Sequence, residues 1–439
     1  MSNTVFSCPA GTFSGIKEDG VIQIKGIRYA ISERYARPEP YQYPDGVHEM
    51  VQNAPFAVQL PSAAESALQG TAYESFPQEE SCQYLSITVP DNEQNARLFP
   101  VMVWFHGGSY RNGGCDCPTY DRRPLVKENN IIVVGVNSRL GVLGFVKDRE
   151  GQYANNGLLD AIEGLKWIKA NISAFGGDPE NITIFGQSAG ADTVRCVMLS
   201  KGTENLYRRA IIQSDPMGTM TGRADMEKKI LDELNTLPLD ASTQELREVQ
   251  NSIAAHVTEK GPAKRMIFAP HYGVYPLPEE KDFPKRLREI APTHELLIGS
   301  TTRESAIAFA TSKSLTRLDR FFLTGWIIES VFDKIAKQIF VDPALAFAKD
   351  YARAGGKTYH FVFSWMEKES VIGACHMMDV LPLFGPGQAE GKLFTMGQSV
   401  EELYQKGIPM RKIWADYAKT GEISQMKIDG MIEIQKLPY

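Results

Sequence analysis

Residues Ile182-Thr183-Ile184-Phe185-Gly186-Gln187-Ser188-Ala189-Gly190-Ala191 constrain the fold more than any other stretch of the chain. A β-branched and aromatic run ends in Gly-x-Ser-x-Gly and gives way to a helix-compatible segment. Small residues on both sides of the serine read as a turn from strand to helix too tight for larger side chains. Such a turn lifts the Ser188 hydroxyl above the edge of a sheet. It also points the N–H of Ala189, at the start of the next helix, to where a negative oxygen would develop. A chain built around this element needs a parallel sheet behind the turn and a helix in front of it.

The surrounding sequence supplies both. Short apolar runs at Pro100–Phe105, Ile131–Val136, Ile182–Phe185, Ala210–Gln213, Leu296–Gly299 and Tyr359–Phe363 read as buried parallel strands. Between two of them, Leu158, Ile162, Leu165, Ile168 and Ile172 recur at helical spacing. Nearer the N-terminus, Thr12–Ile16 and Val21–Ile27 flank a Glu18-Asp19-Gly20 turn as antiparallel strands, and Leu85–Val89 alternates like another. Strands alternating with helices predict an α/β chain: a mostly parallel central sheet with helices on both faces, preceded by N-terminal antiparallel strands. Two blocks differ, at about 220–290 and 313–354. Both are helical and read as insertions over the strand ends, where a lid or pocket would sit. Phe321, Phe322 and Trp326 in the second block would either line that pocket or form the core of the lid. The whole chain, 1–439, reads as one large domain.

Composition narrows the function. The chain is 43% hydrophobic and 23% charged, as soluble globular proteins are. Its net charge of −6, without a basic stripe, argues against a nucleic-acid partner. No apolar run reaches membrane-spanning length, and the first residues carry no export signal. Six cysteines in a chain this long form no disulfide framework. Cys115-Asp116-Cys117 lacks the second Cys/His pair that a zinc site needs. Reduced thiols and a cytoplasmic location are therefore expected, with no metal and no organic cofactor. The oligomeric state stays open.

A serine hydroxyl is a weak nucleophile at neutral pH and needs a base, which in turn needs an acid to hold its tautomer. Where the nucleophile sits on this type of turn, acid and base follow it in the order acid, then histidine. Five histidines follow Ser188: His256, His271, His294, His360 and His376. His256 lies in a charged helix, His271 beside a turn, His294 just before a strand and His360 inside one. His376 occupies a loop after a late strand, the position a base requires. Glu304 stands at the end of the strand Leu296–Gly299, where it reads either as the acid or as a solvated turn carboxylate paired with Arg303. His106-Gly107-Gly108-Ser109 directly follows the strand Pro100–Phe105. Its adjacent glycines allow close backbone approach, so the N–H groups of Gly107 and Gly108 join that of Ala189 as a candidate oxyanion hole. His106 then reads as a structural residue of this loop.

With these residues in place, the chain resembles the type-B carboxylesterase family, which includes the cholinesterases. Gly26-Ile27-Arg28-Tyr29-Ala30, Glu80-Ser81-Cys82-Gln83-Tyr84-Leu85-Ser86-Ile87, Asn137-Ser138-Arg139-Leu140-Gly141, Asn156–Asp160 and Phe175–Thr183 are similar to family motifs, in the family's order. Gly299–Ser305 resembles the segment holding the family's triad acid, which implies that role for Glu304. Gly373-Ala374-Cys375-His376 resembles the segment holding its base, which implies that role for His376. The resemblance also implies an α/β-hydrolase fold and two structural ion pairs, Arg34 with Glu80 and Arg139 with Asp160. Some positions depart from the pattern. Gln187 stands where Glu is common, Arg303 replaces an acid, Met377 replaces a glycine, and the usual cysteine partner of Cys82 is missing. The interval from Glu304 to His376 is short for the family.

The expected function is hydrolysis of a small-molecule carboxylic ester through Ser188, Glu304 and His376 by way of an acyl-enzyme. Two alternatives stay open at this point: a non-catalytic binding module on the same scaffold, and a lipase or acyltransferase using the same triad.

Overall fold

The computed structural model describes residues 3–60, 73–92, 98–256, 262–308, 322–365, 367, 370, 372–385 and 395–438, with the side chains of residues 3, 74 and 322–326 excepted. A large mixed sheet runs through the molecule. Its strands are β1 (Asn3–Cys8), β2 (Gly11–Glu18), β3 (Val21–Arg28), β4 (Tyr84–Pro90), β5 (Phe99–Phe105), β6 (Ile132–Val136), β7 (Gly177–Gln187), β8 (Arg209–Gln213), β9 (Glu295–Thr301), β10 (Thr358–Phe363), β11 (Lys427–Ile428) and β12 (Ile432–Lys436). Their order across the sheet is β1-β2-β3-β4-β6-β5-β7-β8-β9-β10-β12-β11, and Val47–Glu49 pairs with β2 off this path. The run from β6 to β10 is parallel throughout. Antiparallel strands flank it on both sides, β1 to β4 at one edge and β12 with β11 at the other.

The parallel strands are apolar on both faces because both faces are covered. Along β5, Val101, Val103 and Phe105 pack into one core, while Met102 and Trp104 pack into the other. This is the period-2 alternation of a pleated strand with no wet side. One face is covered by α2 (Asn156–Asn171), α3 (Ala189–Leu199), α6 (Phe283–Ile290) and α8 (Asp342–Arg353). Leu158, Leu165, Ile168, Val194, Val197, Leu287, Ile290 and Tyr351 belong to that core. The other face is covered by α1 (Arg123–Asn129) and α9 (Val400–Thr420), through Leu125, Val126, Met410, Ile413, Trp414 and Tyr417. In α2, Gly164 lets the helix settle close to the sheet: a Cβ there would stand 3.1 Å from Val136 Cγ1 and 3.4 Å from Tyr29 Cζ.

The two blocks expected as insertions divide. Within the first, α4 (Ala224–Leu234) and α5 (Thr243–His256) pack on loops rather than on the sheet. Lys147 reaches the Leu234 carbonyl, and Gln250 accepts from the Val142 N–H. The end of this block is α6, a covering helix of the sheet. Within the second block, α7 (Phe322–Ala336) and the π-helical turn Lys337–Val341 lie outside the sheet's layers, whereas α8 is the helix that carries the chain from β9 to β10. Ala344, Ala348 and Tyr351 of α8 are buried in the main core, so this helix belongs to the sheet's covering layer. Phe321 lies outside the described residues, as do the side chains of Phe322 and Trp326.

Both expected ion pairs form. Arg34 holds Glu80 through two bonds, of 2.8 and 2.6 Å. Arg139 holds Asp160 through two bonds, of 2.8 and 2.7 Å, with both side chains buried. All six cysteines are free thiols, Cys115 and Cys117 among the buried ones.

Candidate active site

Ser188 sits between β7 and α3 with φ 58° and ψ −125°. A non-glycine residue at positive φ is strained, and the strain is held by the packing around it. The Ser188 N–H donates to the Gln213 carbonyl at the end of β8, and its carbonyl accepts from Asp192 in the first turn of α3. Neither flanking glycine can carry a side chain. A Cβ on Gly186 would lie 2.4 Å from the Gly190 oxygen, and one on Gly190 would lie 2.0 Å from the Phe105 oxygen. The small residues read from the sequence are thus a consequence of β5, β7 and α3 meeting at one point.

The loop after β5 closes over the same point. A Cβ on Gly107 would stand 3.3 Å from Ser188 Cβ, and Gly108 adopts φ 118° with the Asn112 carbonyl tucked beneath it. Ser109 and Tyr110 continue at positive φ. The Tyr110 hydroxyl donates to Asp192 Oδ2 at 2.8 Å, which ties the loop to the N-terminal turn of α3. None of the N–H groups of Gly107, Gly108 and Ala189 donates to a loop or turn carbonyl among the described residues. Two loop amides and one at the N-terminus of α3 suit a developing negative oxygen. His106 is buried and bonded to the Gly107 carbonyl through Nδ1 at 2.8 Å, and burial lowers its pKa. It shapes the loop.

Glu304 and His376 meet although 72 positions separate them. His376 Nδ1 lies 2.6 Å from Glu304 Oε2, and Glu304 Oε1 accepts the Thr301 N–H at 2.8 Å. Backbone bonds bring their loops together: Arg303 donates to the Ala374 carbonyl and His376 to the Glu304 carbonyl. Glu304 is fully buried, so its reading as a solvated turn carboxylate is set aside. Arg303 pairs instead with Glu329 on α7. With Nδ1 on the carboxylate, Nε2 is the ring nitrogen that carries the lone pair. Nε2 faces Gln187 Nε2 at 3.3 Å, one residue before Ser188.

The other four histidines lie elsewhere. His256 is exposed at the end of α5, and His271 bonds the Phe145 carbonyl and pairs with Glu227. His294 bonds the Ile290 and Glu204 carbonyls, and His360 is buried in β10.

Two neighbours of His376 were not singled out from the sequence. Phe340, on the π-helical turn, packs against the imidazole with ring centroids 4.9 Å apart. Nothing in the sequence around Lys337–Val341 marks that ring as belonging to the site, since only the fold brings it there. Asp379 is fully buried three residues after His376. Its Oδ2 accepts from Gln213 Nε2 at 2.8 Å, and Gln213 Oε1 accepts from Trp414 Nε1 at 3.1 Å. Burial, with the nearby Glu304 charge, pushes its pKa up to about 6. Met377, which replaces a glycine of the family pattern, is held at φ 76°. Among the described residues no group of three or more His, Cys, Asp or Glu side chains could hold a metal, and no helix is long and apolar enough to cross a membrane.

Comparison with known proteins agrees with this architecture. A model of the carboxylesterase family matches residues 2–320. A probable N-octanoylanthranilate hydrolase of Rhodococcus erythropolis is 31% identical over 433 residues, covering 97% of this chain and 94% of that protein. The para-nitrobenzyl esterase of Bacillus subtilis is 28% identical, covering 97% of this chain and 91% of its own. Among solved structures, a thermophilic p-nitrobenzyl esterase superposes with a TM-score of 0.83 at 27% identity, over 99% of this chain and 98% of that one.

Proposed function

Since this chain belongs to the carboxylesterase family and is a carboxylic-ester hydrolase, we propose that Ser188 is its nucleophile, His376 its general base and Glu304 the acid that orients the base. The observation that carries this reading is the 2.6 Å contact between His376 Nδ1 and a buried Glu304 carboxylate, with His376 Nε2 3.3 Å from Gln187, the residue before a serine on a strained strand-to-helix turn. His376 Nε2 takes the Ser188 proton as the hydroxyl attacks the ester carbonyl. The N–H groups of Gly107, Gly108 and Ala189 hold the tetrahedral oxygen. His376 then protonates the leaving alcohol, and water releases the acid in a second half-reaction through the same base. Glu304 fixes the tautomer and stabilises the imidazolium. This sequence of steps calls for neither metal nor organic cofactor.

The substrate in this reading is a small-molecule ester. Phe340 forms one wall of its pocket, and the segments 224–256 and 322–341 serve as the lid of a single domain. The six free thiols suit a reducing compartment, which supports a cytoplasmic location. A net charge of −6 fits the absence of a nucleic-acid partner.

The test is labelling with a fluorophosphonate probe beside turnover of p-nitrophenyl esters of increasing acyl length. Labelling of Ser188 and hydrolysis of at least one ester are expected. A folded protein that does neither would be a binding module on an esterase scaffold.

A further inference from the structure

The candidate oxyanion hole draws on two separate parts of the chain. Gly107 and Gly108 stand on the loop after β5, whereas Ala189 opens α3. Their amides act together only at a fixed spacing, because each must come within about 2.7–3.1 Å of the same oxygen. The loop is poorly suited to hold that spacing alone. Gly108, Ser109 and Tyr110 adopt φ of 118°, 54° and 55°, and two of the three carry side chains that disfavour such backbone.

Tyr110 reaches from this loop to α3. Its side chain is buried, and its hydroxyl donates to Asp192 Oδ2 at 2.8 Å and lies 3.1 Å from Thr193 Oγ1. Both partners lead back to the site. The Asp192 N–H donates to the Ser188 carbonyl, and the Thr193 hydroxyl donates to the Ala189 carbonyl at 3.0 Å. Among the described residues no other hydrogen bond joins the loop 106–113 to α3. The Asp192 end is itself fixed. Its Oδ1 pairs with the Arg195 guanidinium, which also donates to Asp215 Oδ2 and to the Tyr272 hydroxyl, each at 2.7 Å. Asp192, Arg195 and Asp215 are all buried. A hydrogen bond to a carboxylate in such surroundings is stronger than one between neutral groups.

We propose that Tyr110 is a positioning residue for the oxyanion hole: its hydroxyl, anchored on Asp192 and Thr193, sets the spacing between the Gly107 and Gly108 amides and the Ala189 amide. The inference rests on the assignment of Ser188 and of these three amides made above. Tyr110 acts through the loop and not on the substrate, so its loss weakens the hold on the tetrahedral oxygen and leaves the binding of the ester alone. Acylation and deacylation both pass through such an oxygen, so both slow together and KM is unchanged.

Y110F tests this, because it removes one oxygen and keeps the ring that packs on Phe145 with centroids 4.4 Å apart. On p-nitrophenyl butyrate, kcat should fall between about tenfold and a hundredfold, with KM within about twofold of wild type. Butyl trifluoromethyl ketone reads the hole directly. Ser188 Oγ bonds to its carbonyl carbon as the serine proton passes to His376 Nε2, and the carbonyl oxygen becomes the negative oxygen that the amides hold. Its inhibition constant should rise in Y110F by the factor that kcat/KM falls. In a D192A background, where the anchor is already gone, Y110F should cost less than about threefold. If D192A fails to fold, as judged by its thermal melt, the match between ketone affinity and kcat/KM in Y110F decides alone. Wild-type kcat in a folded Y110F protein would overturn the proposal. So would a raised KM at constant kcat, a fall in kcat without loss of ketone affinity, or an equal cost of Y110F with and without Asp192, since each marks altered packing or substrate fit instead of the hole. Failure of the underlying assignment looks different: the wild type itself neither binds the ketone nor takes a fluorophosphonate label at Ser188.

Discussion

Phe340 lies against the imidazole of His376, ring centroids 4.9 Å apart and planes at 41°. The contact joins the π-helical turn Lys337–Val341 to the loop that carries the proposed base. Phe340→Ala removes a ring that packs against the imidazole and, in the proposed reading, forms one wall of the pocket. The expected outcome is a fall of about tenfold in kcat/KM on p-nitrophenyl acetate, the scale of one ring–ring contact. Longer acyl esters should lose less, because they fill the space. An unchanged acyl-length profile would show that the ring stands outside the pocket.

Glu304→Gln keeps a hydrogen-bond partner for Nδ1 but removes the charge and allows the wrong tautomer. Turnover should fall between about a hundredfold and ten-thousandfold, with the melting temperature measured alongside to confirm folding. Near-wild-type kcat in a folded variant would remove Glu304 from the triad.

Asp379 gives a pH dependence of stability with a definite sign. Burial raises its pKa from 3.8 to about 6, so the folded state holds a proton there that the unfolded state has released. Stability is favoured below pH 3.8 and is lost as pH rises through about 6, at a cost on the order of 3 kcal/mol. Asp379→Asn lacks this titration. Its melting temperature should gain on the wild type between pH 4 and pH 7, and parallel curves would contradict the raised pKa.

Gly190→Ala places a methyl group 2.0 Å from the Phe105 oxygen, where only backbone can yield. A loss of more than about 2 kcal/mol in urea unfolding is expected, together with loss of probe labelling. Arg139→Met should cost about 3–5 kcal/mol, because it strands Asp160 as a buried charge. Unfolding midpoints at wild-type values would show that neither contact is obligatory.

Much of the sheet was legible because its central strands are apolar on both faces and short, so Val101–Phe105 and Ile182–Phe185 stand out against polar surroundings. Other elements were quieter. β12 alternates Ile432, Glu433, Ile434 and Gln435 near the edge of the sheet, a pattern shared with many loops. α9 contains Pro409, which interrupts the helical pattern, although Ser399 and Glu402 form a capping box that marks its start. The strand-to-helix turn at Ser188 was readable because steric demands at Gly186 and Gly190 leave few sequence choices. Glu304 was ambiguous by itself, since a carboxylate at a strand end is polar whether buried or wet. Only the pairing of its loop with Ala374 and His376 decides the matter. Phe340 and Gln187 owe their positions at His376 to chain crossings that no local pattern encodes.

The account stands or falls with one serine. Wild-type protein treated with a fluorophosphonate should, on peptide mass mapping, carry a single phosphonyl adduct at Ser188. Ser188→Ala should lose both the adduct and several orders of magnitude of p-nitrophenyl ester turnover. An adduct on another residue, or a folded Ser188→Ala protein that still hydrolyses these esters at wild-type rates, would contradict it.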